Sequence, residues 1–263
     1  MSGGDGGFGL PQMSEEEMFS LLLSEDTERG DSEPAIAAGI GEQMLHMSLR
    51  PLPRSMRARI RDISGKIPVK NAVLIGGGIG HLSAWLLDLW CGDPANPPED
   101  PPSKPDNFRI IEPGGKFGVI IDRLIRRHEA EGWTQIIQMP WNELAAEAAT
   151  WSAATAALPQ NAQPSPLPLP IDLVVIDVPE DERSSTARSA FDLLSVGGVL
   201  LVQEPEVPTG DVGVADSPSE MTPAQKKVES FNQWISFVKD VSENHSLAFV
   251  ELTGGTLAVL RRT

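Results

Sequence analysis

Short apolar runs alternate with amphipathic helical stretches from Asn71 onward. Between the runs, apolar residues recur at helical spacing; Leu82, Trp85, Leu86 and Leu89 fall at i, i+3, i+4 and i+7. This alternation is typical of an α/β protein, in which crossover helices connect parallel strands. The expected strands are Ala72–Ile75, Phe108–Ile111, Thr134–Gln138, Leu173–Ile176 and Val199–Val202.

The end of the chain departs from this alternation. An amphipathic helix that includes Phe231 and Trp234 precedes two further apolar runs, Leu247–Leu252 and Thr256–Leu260. A turn containing Gly254 and Gly255 separates the two runs, and such spacing indicates a β-hairpin. We therefore expect a seven-stranded, doubly wound sheet that is mostly parallel, with its last strand antiparallel.

The residues before the sheet predict an appendage. Residues 1–12 have the Gly-rich composition of a flexible tail, and Ser14 with Glu17 forms a capping box that opens a short helix. We expect an N-terminal helical arm over residues 13–66 and the sheet domain over residues 67–263.

Charge is segregated along the arm. Residues 1–34 hold nine acidic residues against Arg29, whereas residues 50–70 hold seven basic residues against Asp62. Two interpretations stay open: a solvated arm whose basic part pairs with an acidic surface, or a cap that attracts an anionic substrate.

Composition narrows the set of partners. The chain has 263 residues with 40% hydrophobic and 22% charged residues, enough for one core with an arm. Its net charge of −16 disfavours nucleic acid and anionic membranes. Cys91 is the only cysteine, so no internal disulfide is expected, and no 18-residue apolar run occurs. We expect a soluble, cytoplasmic protein, and a homodimer stays open as its oligomeric state.

The run VLIGGGIGHLS joins the first predicted strand to the first sheet helix. Glycines at this position let the backbone approach a ligand beyond the strand ends. The pattern is G-x-G-x-G, with Gly76, Gly78 and Gly80 as its glycines and Gly77 between them. A dinucleotide fingerprint would require glycine at position 81, where His81 stands. A purely structural tight turn is the other interpretation.

The second predicted strand ends in Glu112, within FRIIEPGG. A carboxylate at this point can accept hydrogen bonds from both hydroxyls of a ribose. The alternative is an acidic residue that caps the following helix.

These motifs resemble those of class I S-adenosylmethionine-dependent methyltransferases, which have a Rossmann-like fold. The similarity runs from Asn71 to Arg262 and includes IDLVVID, LLSVGGVLLVQE and the late helix and hairpin. The order of the pieces is most similar to small-molecule O-methyltransferases of the catechol and caffeoyl-CoA type. The resemblance implies S-adenosylmethionine as cofactor, held by the glycine loop (Gly76, Gly77, Gly78, Gly80) and by Glu112.

This sequence departs from the family's usual pattern at several positions near the expected cofactor site. The family usually has an acidic residue where Leu74 stands, and Gly-Asp where Gln138 and Met139 stand. Trp141 follows closely, so the adenine is expected to stack on Trp141 or to bond to Gln138.

The resemblance also implies candidate catalytic residues. Asp177, at the end of the fourth strand, matches the first ligand of the divalent cation, such as Mg²⁺, in catechol-type enzymes, and it also borders the cofactor. Gln203 and Glu204 align with the other two ligands. Glu180 replaces the family's lysine and becomes a candidate base or ligand. His81 is a further candidate base, provided that its imidazole faces the cleft.

Other functions stay open at this point. The losses at Leu74, Met139 and Glu180 are compatible with a cofactor-binding pseudo-methyltransferase that has a regulatory or partner-binding role. The VLIGGG loop also resembles that of spermidine-synthase-like aminopropyltransferases, with the acids of IDVPEDE available to hold an amine. A nicotinamide dehydrogenase is disfavoured by His81.

Overall fold

The computed structural model describes residues 14–24, 27, 30–96, 98–99, 103–153, 165–210 and 221–263. The predicted tail, residues 1–12, lies outside them. The helices within this part are α1 (Glu15–Leu23), α2 (Ala35–His46), α3 (Arg54–Ser64), α4 (His81–Cys91), α5 (Gly115–Arg127), α6 (Trp141–Ala153), α7 (Glu180–Phe191) and α8 (Pro223–Asn244). The strands are β1 (Asn71–Ile75), β2 (Asn107–Ile111), β3 (Thr134–Ile137), β4 (Ile171–Ile176), β5 (Leu194–Gln203), β6 (Ser246–Leu252) and β7 (Gly255–Arg261).

The seven strands form one sheet in the order β3-β2-β1-β4-β5-β7-β6. β1 to β5 pair in parallel, while β7 pairs antiparallel with both β5 and β6. Strand order reverses direction beside β1, so the carboxyl ends of β1 and β4 lie at the switch point where such sheets bind ligands. The predicted doubly wound sheet with an antiparallel C-terminal strand is confirmed.

Strand β5 begins five residues before the predicted Val199. Its early part pairs Leu194 with Ile171, and the register then shifts before Leu173 meets Val199. The Gly197-Gly198 pair lies at this irregularity, which the apolar pattern does not reveal because glycine adds no hydrophobic signal.

Helices cover both faces of the sheet. One apolar cluster joins the arm with α4 and α5, and its largest buried side chains include Trp85 and Met56. The other joins α6, α7 and α8 around Trp234 and Phe191. Strands buried on both faces read as continuous apolar runs, which is why the sequence located them.

Buried arginines of α3 hold the segments of the arm together through hydrogen bonds to backbone carbonyls. Arg57, Arg59 and Arg61 are all buried. Arg59 donates to the carbonyls of Leu23 and Ser24 at the end of α1, and Arg61 donates to carbonyls of the loop before α2. Three of the seven basic residues of this stretch are thus interior, whereas Arg50, Arg54 and Lys70 are exposed, so the interpretation as a solvated face holds for only part of it.

None of the helices in the described ranges is long and apolar enough to cross a membrane.

Candidate active site

The glycine loop turns sharply where β1 ends. The amides of Gly76 and Gly77 both donate to the carbonyl of Ile111, at 3.1 and 3.0 Å. Gly76 has φ +92°, and a Cβ added there would lie 2.1 Å from the Asp177 carbonyl oxygen. Only glycine fits this close approach between the loop and the end of β4.

Gly78 is the glycine that faces open space. Its φ is +51°, and a Cβ built on it would meet no atom within 4 Å. Its amide donates to Glu112 Oε2 at 2.6 Å, and the amide of Gly114 donates to Glu112 Oε1 at 2.8 Å. A carboxylate offers about four acceptor positions, so each Glu112 oxygen retains capacity for another donor.

The other two glycines shape the turn beneath. A Cβ at Gly77 would press on the side chains of Ile110 and Ile121, and Gly80 lies at the N-cap of α4. The absence of a side chain at both positions lets the loop pack closely against its neighbours.

A cavity of about 1230 Å³ lies in front of the loop. Gly76, Gly78, Glu112 and Asp177 line it on the sheet side. The arm contributes residues 49–53, and the turn between β6 and β7 contributes Gly254. The cavity exceeds the 300–1,000 Å³ usual for one small ligand, so it has room for a nucleoside and a second molecule.

The three residues expected near the adenine lie in different surroundings. Trp141 lines the cavity and donates from Nε1 to Ser189 Oγ at 2.9 Å. Gln138 is exposed and lies against Gly118 of α5, outside the main cavity. Met139 is half-buried against the cluster around Trp234. Of these three, only the Trp141 ring borders the cavity.

Asp177 follows β4 and lines the cavity floor. Burial raises the pKa of its carboxyl to about 6, although the positive charges of Arg183 and Arg57 act in the opposite direction. A carboxyl with this pKa is ionised at neutral pH and still basic enough to take a proton from a bound hydroxyl.

The donors proposed for a metal do not converge. Gln203 lines the cavity and donates to the Gly254 carbonyl at 3.3 Å, whereas Glu204 Oε1 accepts from Trp234 Nε1 at 3.2 Å. Across the described ranges, no three His, Cys, Asp or Glu side chains are placed to hold a metal ion. Glu204 is not among the residues that line the cavity and is engaged by Trp234, so Asp177, Gln203 and Glu204 do not present three ligands to one point of the cavity.

The two other candidate bases lie outside the cavity lining. Glu180 begins α7, where its carboxylate accepts from the Glu206 amide at 2.8 Å and pairs with Lys227 at 3.3 Å. An acid in the first turn of a helix also suits the helix dipole. The sequence shows an acidic run here but does not show that it starts a helix.

His81 is buried at the start of α4 and faces the arm. Its Nε2 lies 2.7 Å from Arg57 Nη1 and 3.3 Å from Glu33 Oε1. Arginine can only donate and a carboxylate can only accept, so Nε2 accepts from Arg57 when the ring is protonated at Nδ1 alone and donates towards Glu33 when Nε2 carries a proton. Burial and the Arg57 charge lower the pKa of His81, while Glu33 raises it.

The sequence did not single out α7 as a cavity wall. Glu182, Arg183, Ser185, Thr186 and Ser189 all border the cavity from this helix. The sequence held one indication of this wall: polar side chains recur at i, i+3 and i+4, which places them along one face of a helix.

Solved structures of other proteins share this fold, although their sequences differ widely from this one. No family model and no curated protein matches the sequence. An O-methyltransferase from Bacillus cereus, solved with SAH, has 13% identity and a TM-score of 0.57 over 90% of this chain and 96% of that one. The O-methyltransferase TomG from Streptomyces achromogenes, solved with SAM, has 17% identity and a TM-score of 0.53 over 93% of both chains. The SAH-bound methyltransferase PaMTH1 from Podospora anserina has 12% identity and a TM-score of 0.56 over 97% of both.

The protein accordingly has the fold of class I S-adenosylmethionine-dependent methyltransferases, in the arrangement found in O-methyltransferases.

Proposed function

We propose that this protein is an S-adenosylmethionine-dependent methyltransferase that methylates a hydroxyl group of a small molecule. One observation carries the proposal: the glycine loop opens onto the large cavity at the same point where the Glu112 carboxylate is held by the Gly78 amide. The structural relatives that contain SAM or SAH support the same cofactor here.

The residues at the loop fit a nucleoside with a sulfonium tail. Gly78 leaves free space beside its backbone, and Glu112 retains acceptor capacity for ribose hydroxyls. The Trp141 ring offers an aromatic surface on the cavity wall. When bound, S-adenosylmethionine would supply an electrophilic methyl group.

Asp177 is the base in this proposal. Its carboxylate takes the proton of the acceptor hydroxyl while the acceptor oxygen forms a bond to the methyl carbon and the carbon–sulfur bond breaks. The products are the methyl ether, S-adenosylhomocysteine and protonated Asp177. The reaction as proposed uses Asp177 alone as the base, while Gln203 contacts Gly254 and Glu204 contacts Trp234.

The test is a methyl-transfer assay. The protein is incubated with methyl-labelled S-adenosylmethionine and a panel of phenols and catechols, and labelled product is quantified. We expect turnover that falls at least a hundredfold in Asp177→Asn, while affinity for S-adenosylhomocysteine changes less than threefold. Asp192→Asn is the matched control, because Asp192 also borders the cavity but is exposed and ends α7.

Each failure has its own meaning. Cofactor binding without turnover on any acceptor would favour the pseudo-methyltransferase. In a separate assay with decarboxylated S-adenosylmethionine and a polyamine, transfer of the aminopropyl group would favour the spermidine-synthase-like alternative. The absence of cofactor binding would refute the proposal entirely.

A further inference from the structure

Arg183 has an unusual environment among the arginines that the structure describes. It lies in the first part of α7, is half-buried and borders the cavity. Its Nε donates to the Val178 carbonyl at 3.3 Å. Within the described part of the chain, its two terminal amino groups have no hydrogen-bond acceptor, and no carboxylate lies within ion-pair distance.

The other buried or half-buried arginines in the described ranges differ. Each of them places at least one terminal amino group on an acceptor. They are Arg57, Arg59, Arg61, Arg109, Arg261 and Arg262. The terminal amino groups of Arg183 therefore retain donor capacity at the cavity wall, where a guanidinium can bind an anionic group of a ligand.

The acids near Arg183 do not account for these donors. Glu180 and Glu206 attract its charge from a distance, but both are already paired with Lys227, at 3.3 and 3.2 Å. Asp177 also attracts it, without a hydrogen bond or ion pair to it. A cation near the start of a helix additionally opposes the helix dipole, so α7 gains no stability from this placement.

A second arginine borders the same cavity from the arm. Arg50 is exposed and lies within the wall-forming segment of residues 49–53. Among the described residues it has no hydrogen bond or ion pair. Arg50 and Arg183 are the two cationic side chains of this lining, which also includes the carboxylates of Glu112, Asp177, Glu182 and Asp192.

We propose that the methyl acceptor carries a carboxylate group, which Arg183 binds through its terminal amino groups while Arg50 adds a second positive charge. This inference rests on the proposed function, since it assigns the free part of the cavity to an acceptor. A guanidinium matches a carboxylate in a bidentate geometry. A single negative charge fits better than a dianion, because Asp177 and Glu182 also border the cavity.

The test uses three probes that share one ring and differ in charge: 3,4-dihydroxybenzoate, catechol and 3,4-dihydroxybenzylamine. Each is titrated calorimetrically into protein saturated with S-adenosylhomocysteine. We expect the benzoate to bind about tenfold more tightly than catechol, and the amine to bind most weakly.

Variants assign this preference to Arg183. Arg183→Gln should reduce the preference for the benzoate to less than threefold, whereas Arg183→Lys should retain part of it. Arg50→Gln should lower it by a smaller factor. Arg188→Gln is the matched control, because Arg188 lies on the same helix, is exposed and pairs with Asp240 away from the cavity.

The outcomes separate the two proposals. Protein that does not bind S-adenosylhomocysteine refutes the proposed function. Protein that binds it but shows equal affinities, a preference for the amine or no binding of any probe overturns the carboxylate proposal alone. A benzoate preference that survives in Arg183→Gln also overturns it. Should Arg183→Gln not fold, the wild-type affinities and the Arg183→Lys variant still decide.

Discussion

At the scale of single residues, two glycines of the loop, Gly76 and Gly78, have different structural roles. Gly76 permits contact between two backbone segments, since a Cβ would lie 2.1 Å from the Asp177 carbonyl oxygen. Gly78 leaves space in front of the loop. The G-x-G-x-G pattern alone does not distinguish these roles, because both depend on what the rest of the sheet brings next to the loop.

This difference predicts contrasting effects on stability. Gly76→Ala should destabilise the protein by roughly 3 kcal/mol or more, because the methyl group would overlap backbone atoms that cannot move independently. Gly78→Ala should cost only about 1 kcal/mol, the strain of a positive φ. Urea unfolding followed by circular dichroism measures both. Equal losses would mean that the loop does not pack against β4 as described.

Asp177 gives a pH dependence whose sign is fixed by its environment. Because burial raises its pKa to about 6, activity should fall tenfold per pH unit below that value. Methyl transfer measured between pH 4.5 and 8 would show this limb, with stability followed in parallel. A rate that stays constant down to pH 4.5 would exclude Asp177 as the base.

The same pKa predicts an effect on stability. A carboxyl whose pKa is higher in the folded state favours folding when protonated, so its contribution is lost as the pH rises from about 4 through 6. Asp177→Asn should therefore be more stable than wild type by roughly 3 kcal/mol at pH 7.5, with the difference shrinking towards pH 4. Thermal unfolding at both pH values measures it. A variant less stable than wild type at pH 7.5 would contradict this account of Asp177.

Side-chain direction is what the sequence could not provide. His81 directly follows the glycine loop, yet its imidazole faces Arg57 and Glu33 of the arm. Gln138 directly follows β3, yet it lies against Gly118. Position in a motif fixes where a backbone atom lies, but the face that a side chain takes depends on segments far away in sequence.

At the scale of elements, α3 joins the arm to the sheet domain. Arg57 is buried, donates to the Leu52 carbonyl at 2.9 Å and contacts Glu33 and His81. Leu52 belongs to the segment that walls the cavity, and Ser55 donates to Thr253 of the β6–β7 turn at 2.8 Å. The arm is thus bonded to α4 through Arg57 and to the β6–β7 turn through Ser55.

This arrangement predicts unequal effects for two arginines that share Glu33. Arg57→Met should destabilise the protein by about 3 kcal/mol, because it leaves buried acceptors without their donor. Arg54→Met should cost less than about 1 kcal/mol, since Arg54 is 59% exposed in its pair with Glu33. Guanidinium unfolding of both variants tests this, and similar losses would show that the pair at Arg57 is not buried in solution.

Elements with continuous apolar runs were predictable, and elements defined by polar residues were not. The buried strands β1, β2 and β4 match the predicted runs within two residues at each end. Helix α7 was not anticipated as a cavity wall, since its sequence EDERSSTARSAF lacks an apolar stripe. Its burial comes from small residues such as Ala187 and Ala190, which carry little hydrophobic signal.

At the scale of the whole molecule, the sheet topology creates the site. Three strands, β1, β2 and β4, are neighbours in the sheet although distant in sequence, and they are directly followed by Gly76, Glu112 and Asp177. Their parallel pairing brings these groups to one edge, where the arm and the hairpin turn close a cavity of about 1230 Å³. The resemblance of the motifs predicted this convergence, and a cap formed by the arm was one of the two interpretations of its sequence; which residues of the arm line the cavity required the structure.

The most direct measurement of the central claim is calorimetric titration of S-adenosylmethionine into wild-type protein, Gly78→Arg and Gly132→Arg. Gly132 is an exposed turn glycine outside the main cavity and serves as the control. Wild type and Gly132→Arg should bind with similar micromolar affinity, and folded Gly78→Arg should lose binding at least a hundredfold. Equal binding by all three proteins, or no binding by wild type, would contradict the account.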